Sequence, residues 1–164
     1  MKALRVLTVV ALAALVVACG SDPKANLAKA WQLAEMNIDG KPYKEAMEAE
    51  KAKQLAQFEQ MGGEAAEIAK KSLEEGYAEA VTEMETSLKG SKVTLAKDGT
   101  YTAELLGEKD SGTWTLSDDA KTITLKGKDS REEPFKVLEL TASRMVLEGS
   151  EDNHTYGLVF EAAK

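Results

Sequence analysis

Residues 112–126 read GTWTLSDDAKTITLK, two runs of alternating polar and apolar side chains on either side of a short polar turn. Because successive side chains of a strand point to opposite faces of a sheet, the alternation predicts two antiparallel strands. One face of this pair is formed by threonines. The other face carries Trp114, Leu116, Ile123 and Leu125. We expect this second face to be buried.

Runs of the same kind precede and follow this pair, and each is bounded by turn residues. Lys97-Asp98-Gly99, for example, is typical of a hairpin turn. The sequence predicts eight strands, which are Trp31–Ile38, Lys92–Ala96, Thr100–Leu105, Gly112–Ser117, Thr122–Lys126, Phe135–Leu140, Met145–Glu148 and Thr155–Phe160. Most are joined by tight turns, which indicates an antiparallel meander. Eight such strands can remove their edges by closing into an up-and-down barrel.

A helical insertion separates the first strand from the other seven. Strong helix formers predominate from Pro42 to Lys89, and Gly62-Gly63 interrupts them. We therefore expect helices over residues 42–61 and 64–89, with Pro42 at the first helical position. The second helix carries an apolar stripe at steps of three or four residues, formed by Ala65, Ala69, Leu73, Tyr77, Val81, Met84 and Leu88. This stripe must pack on another surface.

Several short motifs carry a family resemblance. They are Ala30-Trp31-Gln32-Leu33, Asp98-Gly99-Thr100-Tyr101-Thr102, Ser111–Ser117 followed by Thr122–Leu125, and Lys136–Leu140 leading to Met145–Leu147. In order and spacing the chain resembles the lipocalin-like domains of bacterial envelope lipoproteins. The resemblance implies a mainly β fold of the α+β type, an eight-stranded antiparallel up-and-down barrel with two helices inserted after the first strand. It also implies a basic side chain over the first-strand Trp31, and Arg144 is the candidate for a cation–π contact there.

The first residues have the form of a secretory signal. Lys2 and Arg5 precede an apolar run, Val6–Ala18, which is shorter than the about 20 residues of a spanning helix. Its end, Val16-Val17-Ala18-Cys19, resembles the lipobox of bacterial lipoproteins, which implies cleavage before Cys19 and acylation of that residue with chains such as palmitate. The alternative is a cleaved signal with an incidental cysteine.

The lipobox interpretation divides the chain into three parts. Residues 1–18 are the signal peptide, 19–27 a lipidated tether, and 28–164 the lipocalin-like domain with its helical insertion at 42–89. Gly20 follows the cysteine, and by resemblance to known sorting patterns this favours the outer membrane. We expect a protein held in the bacterial cell envelope by acyl chains, because more than one chain gives stable anchoring.

The charge of the chain excludes one class of partner. It has 21 Lys and Arg against 28 Asp and Glu, a formal net charge of −7, and loss of the signal peptide removes two of the positive charges. Nucleic-acid binding needs a basic patch that releases counterions from phosphates. We therefore expect no nucleic-acid partner.

Catalytic and metal-binding residues are not predicted. His154 is the one histidine, and it is interpreted as a solvated loop residue, since zinc takes three or four ligands. Adjacent carboxylates such as Glu74-Glu75 fall on helix faces or turns, whereas acid–base catalysis needs a carboxyl with a raised pKa. We expect no enzyme activity and no cofactor.

The candidate ligand-binding residues are the aromatic side chains of the strands. An eight-stranded barrel is just wide enough to be filled by side chains or to hold one small ligand. The candidates are Trp31, Tyr101, Trp114, Phe135, Tyr156 and Phe160. Two functions remain open: a membrane-anchored barrel that binds a small hydrophobic ligand, or a non-catalytic structural or protein-interaction module of the envelope with a filled barrel.

Overall fold

The computed structural model describes residues 22–151 and 153–163. The predicted signal peptide, Cys19 and the beginning of the tether lie outside the described residues. The strands are β1 (Ala30–Ile38), β2 (Lys41–Pro42), β3 (Lys92–Leu95), β4 (Thr100–Leu105), β5 (Glu108–Leu116), β6 (Thr122–Gly127), β7 (Glu132–Leu140), β8 (Arg144–Glu151) and β9 (His154–Ala162). The helices are α1 (Pro23–Leu27), α2 (Tyr43–Met61) and α3 (Gly63–Gly90).

The strands form a closed barrel. Each strand from β3 to β9 pairs antiparallel with the next, and β1 pairs with both β3 and β9. The β1–β9 seam runs from Trp31 opposite Ala162 to Ile38 opposite Tyr156. After the tight turn Asp39-Gly40, the two-residue β2 folds back and pairs antiparallel with the end of β1. The prediction of an eight-stranded antiparallel barrel with helices inserted after the first strand is confirmed.

Helices α2 and α3 form a hairpin that stands beside β1. Gly62 and Gly63 join them with φ of 64° and 82°, the left-handed region that glycine adopts at little cost. The helix boundaries match the prediction within a residue, except that Pro42 caps α2 instead of being its first helical residue. An ion pair between Lys44 of α2 and Glu85 of α3 links the two helices.

The end of α3 replaces part of the barrel wall. β1 and β3 pair only over Ala30–Gln32 on the β1 side. Beyond that point the amide of Leu33 donates to the carbonyl of Ser91, directly after α3, at 2.9 Å. The hydroxyl of the fully buried Ser91 accepts from the amide of Leu106 at 2.8 Å. The helical insertion is therefore hydrogen bonded into the barrel.

A short helix lies in front of β1, within the segment that the sequence assigns to the tether. The Asp22 carboxylate accepts from the amide of Lys24 at 2.9 Å, and Pro23 occupies the first turn of α1. Leu27, the last residue of α1, is fully buried in the barrel core. The folded part of the chain therefore begins before residue 28.

Candidate ligand-binding site

The interior face of the barrel follows from the strand register. Residues that pair across antiparallel strands lie on the same face of the sheet. Trp114 pairs with Leu125, and Leu125 with Glu133, so these three share the interior face. The same argument places Asp110 inside, because it pairs with the buried Ala103. The face predicted from residues 112–126 is the buried one, with Ile123 1% exposed and Trp114 5%.

One end of the barrel is filled by side chains. Trp31 is fully buried, and its indole Nε1 donates to the carbonyl of Leu27 at 2.9 Å. Trp114 donates in the same way to the carbonyl of Ala96 at 2.9 Å. Phe160 is 1% exposed and belongs to the same core. At this end, which we call the closed end, the interior is a packed core and α1 covers it.

The opposite end is open, and we call it the mouth. A cavity of about 480 Å³ lies there, inside the range of small-molecule sites. Apolar and aromatic side chains form much of its lining: Leu33, Met36, Leu105, Leu106, Pro134, Phe135, Tyr156 and Leu158. Arg131, Glu132, Glu133 and Glu151 supply its charged groups. The arrangement combines an apolar interior with a charged rim.

Interior glycines provide room at the mouth. A Cβ on Gly149 would lie 3.0 Å from ring atoms of Phe135, so the ring lies against the bare backbone of β8. A Cβ on Gly127 would lie 2.9 Å from the Asp129 carboxylate and 3.6 Å from both carboxylate oxygens of Asp110. A larger side chain at Gly149 would fill the space beside Phe135, and one at Gly127 would displace the Asp129 carboxylate.

Leu106 closes one side of the cavity in an unusual backbone conformation. It occupies the β4–β5 turn with φ of 52° and is 39% exposed. The left-handed region is costly for a bulky residue and is found mostly where the surrounding structure holds it. The bond from its amide to Ser91 provides such a hold.

The charged groups of the mouth are unevenly balanced. The guanidinium of Arg131 contacts Glu133 at 3.0 Å through Nε and Glu151 at 3.5 Å. Deeper in the barrel, the hydroxyl of Tyr101 donates to the carboxylate of Asp110. Burial, the bond to Asp110 and the nearby negative charges raise the pKa of Tyr101 above its ordinary value. The phenol therefore stays neutral beside the carboxylates.

Comparison with known protein families identifies the fold family. Residues 27–147 match the family described as the lipocalin-like domain. The chain belongs to the lipocalin-like domain family. Among curated proteins no match is found. A crystal structure of a DUF4847 family protein from Bacteroides vulgatus is similar to this lipocalin-like domain, with a TM-score of 0.50 and 14% identity over 86% of this chain and 96% of that chain. At this identity the likeness concerns the fold.

The cation over the first-strand tryptophan is not the predicted one. Lys29 places its Nζ 5.4 Å from the centre of the Trp31 ring and donates to the carbonyl of Ala142 at 2.8 Å. Arg144 instead contacts Glu139 at 3.2 Å. Lys29 is two residues before Trp31, whereas Arg144 lies on β8 and is held by the opposite charge on β7. The Arg144 prediction is wrong for this reason.

The six predicted aromatic residues of this lipocalin-like domain divide between the two ends. Trp31, Tyr101, Trp114 and Phe160 are buried in the core. Phe135 and Tyr156 line the mouth cavity. The aliphatic lining residues and the interior carboxylates were not predicted. Their strand periodicity indicates an inward face, which is the signal that could have identified them.

A second, larger depression lies outside the barrel. It has a volume of about 990 Å³ and lies between α2, α3 and the Asp39-Gly40 turn, with Met47, Phe58, Leu73 and Tyr77 in its lining. The middle of the predicted α3 stripe lines this groove with Ala69, Leu73 and Tyr77, and Leu88 near the end of α3 reaches the barrel core. The stripe is half-buried from Ala69 to Met84, and Ala65 is exposed.

His154 lies at the edge of this groove at the start of β9. Its Nδ1 lies 2.8 Å from the Asp39 carboxylate, which also accepts from the amide of Thr155 at 2.9 Å. These two hydrogen bonds lower the pKa of Asp39, the Thr155 amide having the larger effect. Both side chains are about half exposed, as a solvated surface pair would be. The pair fixes the turn after β1 to β9.

Within residues 22–151 and 153–163, no three His, Cys, Asp or Glu side chains are grouped to hold a metal ion. No helix of that same part of the chain is both long and apolar enough to cross a bilayer.

Proposed function

We propose that this lipocalin-like domain binds one small hydrophobic ligand at the barrel mouth, and that acyl chains on Cys19 anchor it to the outer membrane of a bacterial envelope. The ligand proposal depends on one observation, the cavity of about 480 Å³ with its apolar lining. Ligand sites in barrels commonly lie at the mouth, in pockets of about 300 to 1,000 Å³.

The lining supports a small apolar ligand. Phe135 and Tyr156 present rings to the cavity, and Leu33, Met36 and Leu158 supply aliphatic surface. Apolar surface removed from water contributes about 25 cal/mol per Å². Because the core beneath is filled, a ligand would remain near the mouth and would not extend through the barrel.

The anchor proposal comes from the sequence. A single cysteine follows a short apolar run with Lys2 and Arg5 before it. Acyl chains contribute about 0.8 kcal/mol per buried CH₂, and more than one is needed for stable attachment. We further propose that the protein is a non-catalytic binding module, whose partners are the membrane and the ligand, with an envelope protein as the alternative partner.

Native mass spectrometry of the full-length protein from bacterial membranes tests the ligand. We expect a co-purified small molecule with the wild-type protein. Gly149→Leu would fill the cavity and remove that molecule. Thr115→Leu is the matched control, because Thr115 on β5 faces outward, is exposed and does not line the cavity.

The outcomes separate the two open functions. Loss of the molecule in Gly149→Leu and its retention in Thr115→Leu would support the proposal. Retention in both, or no molecule in the wild type, would contradict it. A co-purified protein in place of a small molecule would favour the interaction module.

Mass spectrometry of the N-terminal peptide tests the anchor. We expect an acylated Cys19 as the first residue, and no acylation in a Cys19→Ser variant. An unmodified thiol or an intact Met1 in the purified wild-type protein would contradict the anchor and leave the ligand proposal standing.

A further inference from the structure

We infer that the mouth cavity selects an amphiphile with an apolar body and a cationic head group, such as a protonated amine or a quaternary ammonium. This inference rests on the proposed ligand function and specifies its chemical class. It follows from which charges face the interior, where they lie along the barrel, and which of them are already paired.

The interior face of the mouth is acidic. Glu133 and Glu151 line the cavity, and Asp110 lies on the same interior face beside the bare backbone of Gly127. Glu132 also borders the cavity but pairs with Lys126, so the inward carboxylates are Glu133, Glu151 and Asp110, and the cation that lines the cavity beside them is Arg131. One guanidinium cannot neutralise the carboxylates that surround it.

The lysines of the neighbouring strands do not compensate this charge. Lys126 pairs with Glu132 at 3.0 Å, and Lys136 with Glu148 at 3.3 Å. Lys109 contacts Glu104 at 3.8 Å. These strand positions alternate with the interior ones, so the three lysines lie on the outer face. These three lysines are thus paired on the outer face, while the interior of the mouth keeps its excess of carboxylates.

The apolar and aromatic groups lie where the body of such a ligand would be. Leu33, Met36 and Leu158 form the side of the cavity on β1 and β9, opposite the acidic β7. The rings of Phe135 and Tyr156 also line the cavity. Aromatic faces attract cations within about 6 Å, and more strongly when the cation is desolvated. Among the described lining residues, an anionic head group would meet one cation, Arg131, which two carboxylates already engage.

Three probes with the same apolar body test the inference: octyltrimethylammonium, octan-1-ol and octanoate. Binding is measured by equilibrium dialysis with the full-length protein in lipid nanodiscs, and empty nanodiscs provide the blank. We expect octyltrimethylammonium to bind about tenfold more tightly than octanoate at low salt, because the excess of carboxylates attracts the cationic head group and repels the anionic one. In about 1 M salt, where the Debye length is about 3 Å, the preference should largely disappear.

Two substitutions should change the preference in opposite directions. Glu133→Gln removes an interior carboxylate and should lower the preference for the cationic probe by roughly threefold. Arg131→Gln frees Glu133 and Glu151 and should raise it by a similar factor. Glu148→Gln is the control, since Glu148 faces outward and pairs with Lys136. A general loss of structure would weaken the binding of all three probes together. It would not shift the preference for the cationic probe in opposite directions in the two variants.

The results test the cationic head group separately from ligand binding at the mouth. The cationic preference with opposite shifts in the two variants would support the inference. Equal binding of all three probes, or a preference for octanoate, would overturn the cationic head group and leave ligand binding intact. No binding of any probe above the blank would overturn both.

Discussion

The two ends of the barrel are built from the same strands but have opposite interiors. At the closed end Trp31, Met145 and Phe160 are at most 1% exposed, and Leu27 of α1 packs against them. At the mouth the inward positions include glycines and carboxylates, such as Gly149 and Glu133, beside the apolar lining. One end is a core, and the other is a cavity.

The difference shows that the pleat determines a side chain's face but not its environment. An ionised carboxylate at the closed end would lose its hydration without a partner, which costs several kcal/mol. Asp110 and Glu133 avoid this cost because the mouth is open to solvent. Stability should therefore depend on the closed end, and binding on the mouth.

The largest expected difference between the ends comes from two phenylalanines. Phe160→Ala removes a ring that is 1% exposed in the closed end, and we expect it to lower the free energy of unfolding by about 3 to 5 kcal/mol. Phe135→Ala removes a half-buried ring beside an existing cavity, so little new void is created, and we expect about 1 to 2 kcal/mol. Urea unfolding of both variants measures the two values.

Equal losses in the two phenylalanine variants would contradict the division into core and cavity. A ligand-binding measurement on the same proteins provides the control. Phe135→Ala should weaken octyltrimethylammonium binding, while Phe160→Ala should leave it unchanged under conditions where the variant is folded.

The face of each strand could be predicted from the sequence, but the level along the barrel axis could not. Alternation of period two is a local property, and it identified Trp114 and Ile123 as interior residues. The level depends on strand register, which is fixed by pairings between distant segments such as β1 and β9. For this reason the six aromatic candidates could not be divided between core and cavity.

Some signals were present in the sequence and were missed. Asp22 before Pro23 is a common helix start, yet the segment was assigned to the tether. A strand is predicted over Trp31–Ile38 but no hairpin after it, although Asp39-Gly40 is typical of the two-residue loop that joins β1 to β2. The turn at Leu106-Gly107 gave a weaker signal, because leucine seldom adopts a left-handed backbone, and β5 was therefore predicted to begin too late.

Leu27 provides the next largest test, because it decides whether α1 belongs to the core. Leu27→Ala should lower the free energy of unfolding by about 2 to 4 kcal/mol, since a fully buried leucine leaves a cavity when truncated. Leu106→Ala at the mouth is the matched control, and with 39% of that residue exposed we expect about 1 kcal/mol or less. If Leu27→Ala has no effect in urea unfolding, α1 is a tether and not a part of the closed end.

Two interior glycines give a smaller and more specific contrast. A Cβ on Gly112 would lie 1.9 Å from the backbone carbonyl oxygen of Lys126, so Gly112→Ala must displace β6 and should cost about 1 to 3 kcal/mol. Gly149→Ala meets only the Phe135 ring at 3.0 Å, and the ring can turn into the cavity. We expect Gly149→Ala to reduce ligand binding more than stability. Thermal unfolding measures the stability of the two variants, and dialysis measures their ligand binding. Unchanged ligand binding in Gly149→Ala would contradict a ligand in the cavity.

The smallest expected effect concerns the Asp39 carboxylate. At the mouth, this carboxylate holds the turn that follows β1 against the start of β9. The hydrogen bonds from Thr155 and with His154 lower its pKa in the folded protein below the unfolded value. The folded state therefore binds the Asp39 proton less readily, and the contribution is present above the unfolded pKa and is lost as the pH falls through the folded one. Asp39→Asn keeps a residue that tolerates the φ of 51° but removes the titration. Urea unfolding between about pH 6 and pH 2 should show a smaller loss of stability on acidification in Asp39→Asn than in the wild type, because the wild-type carboxylate titrates in that range. An identical pH dependence in both proteins would mean that main-chain pairing alone holds the turn after β1 against β9.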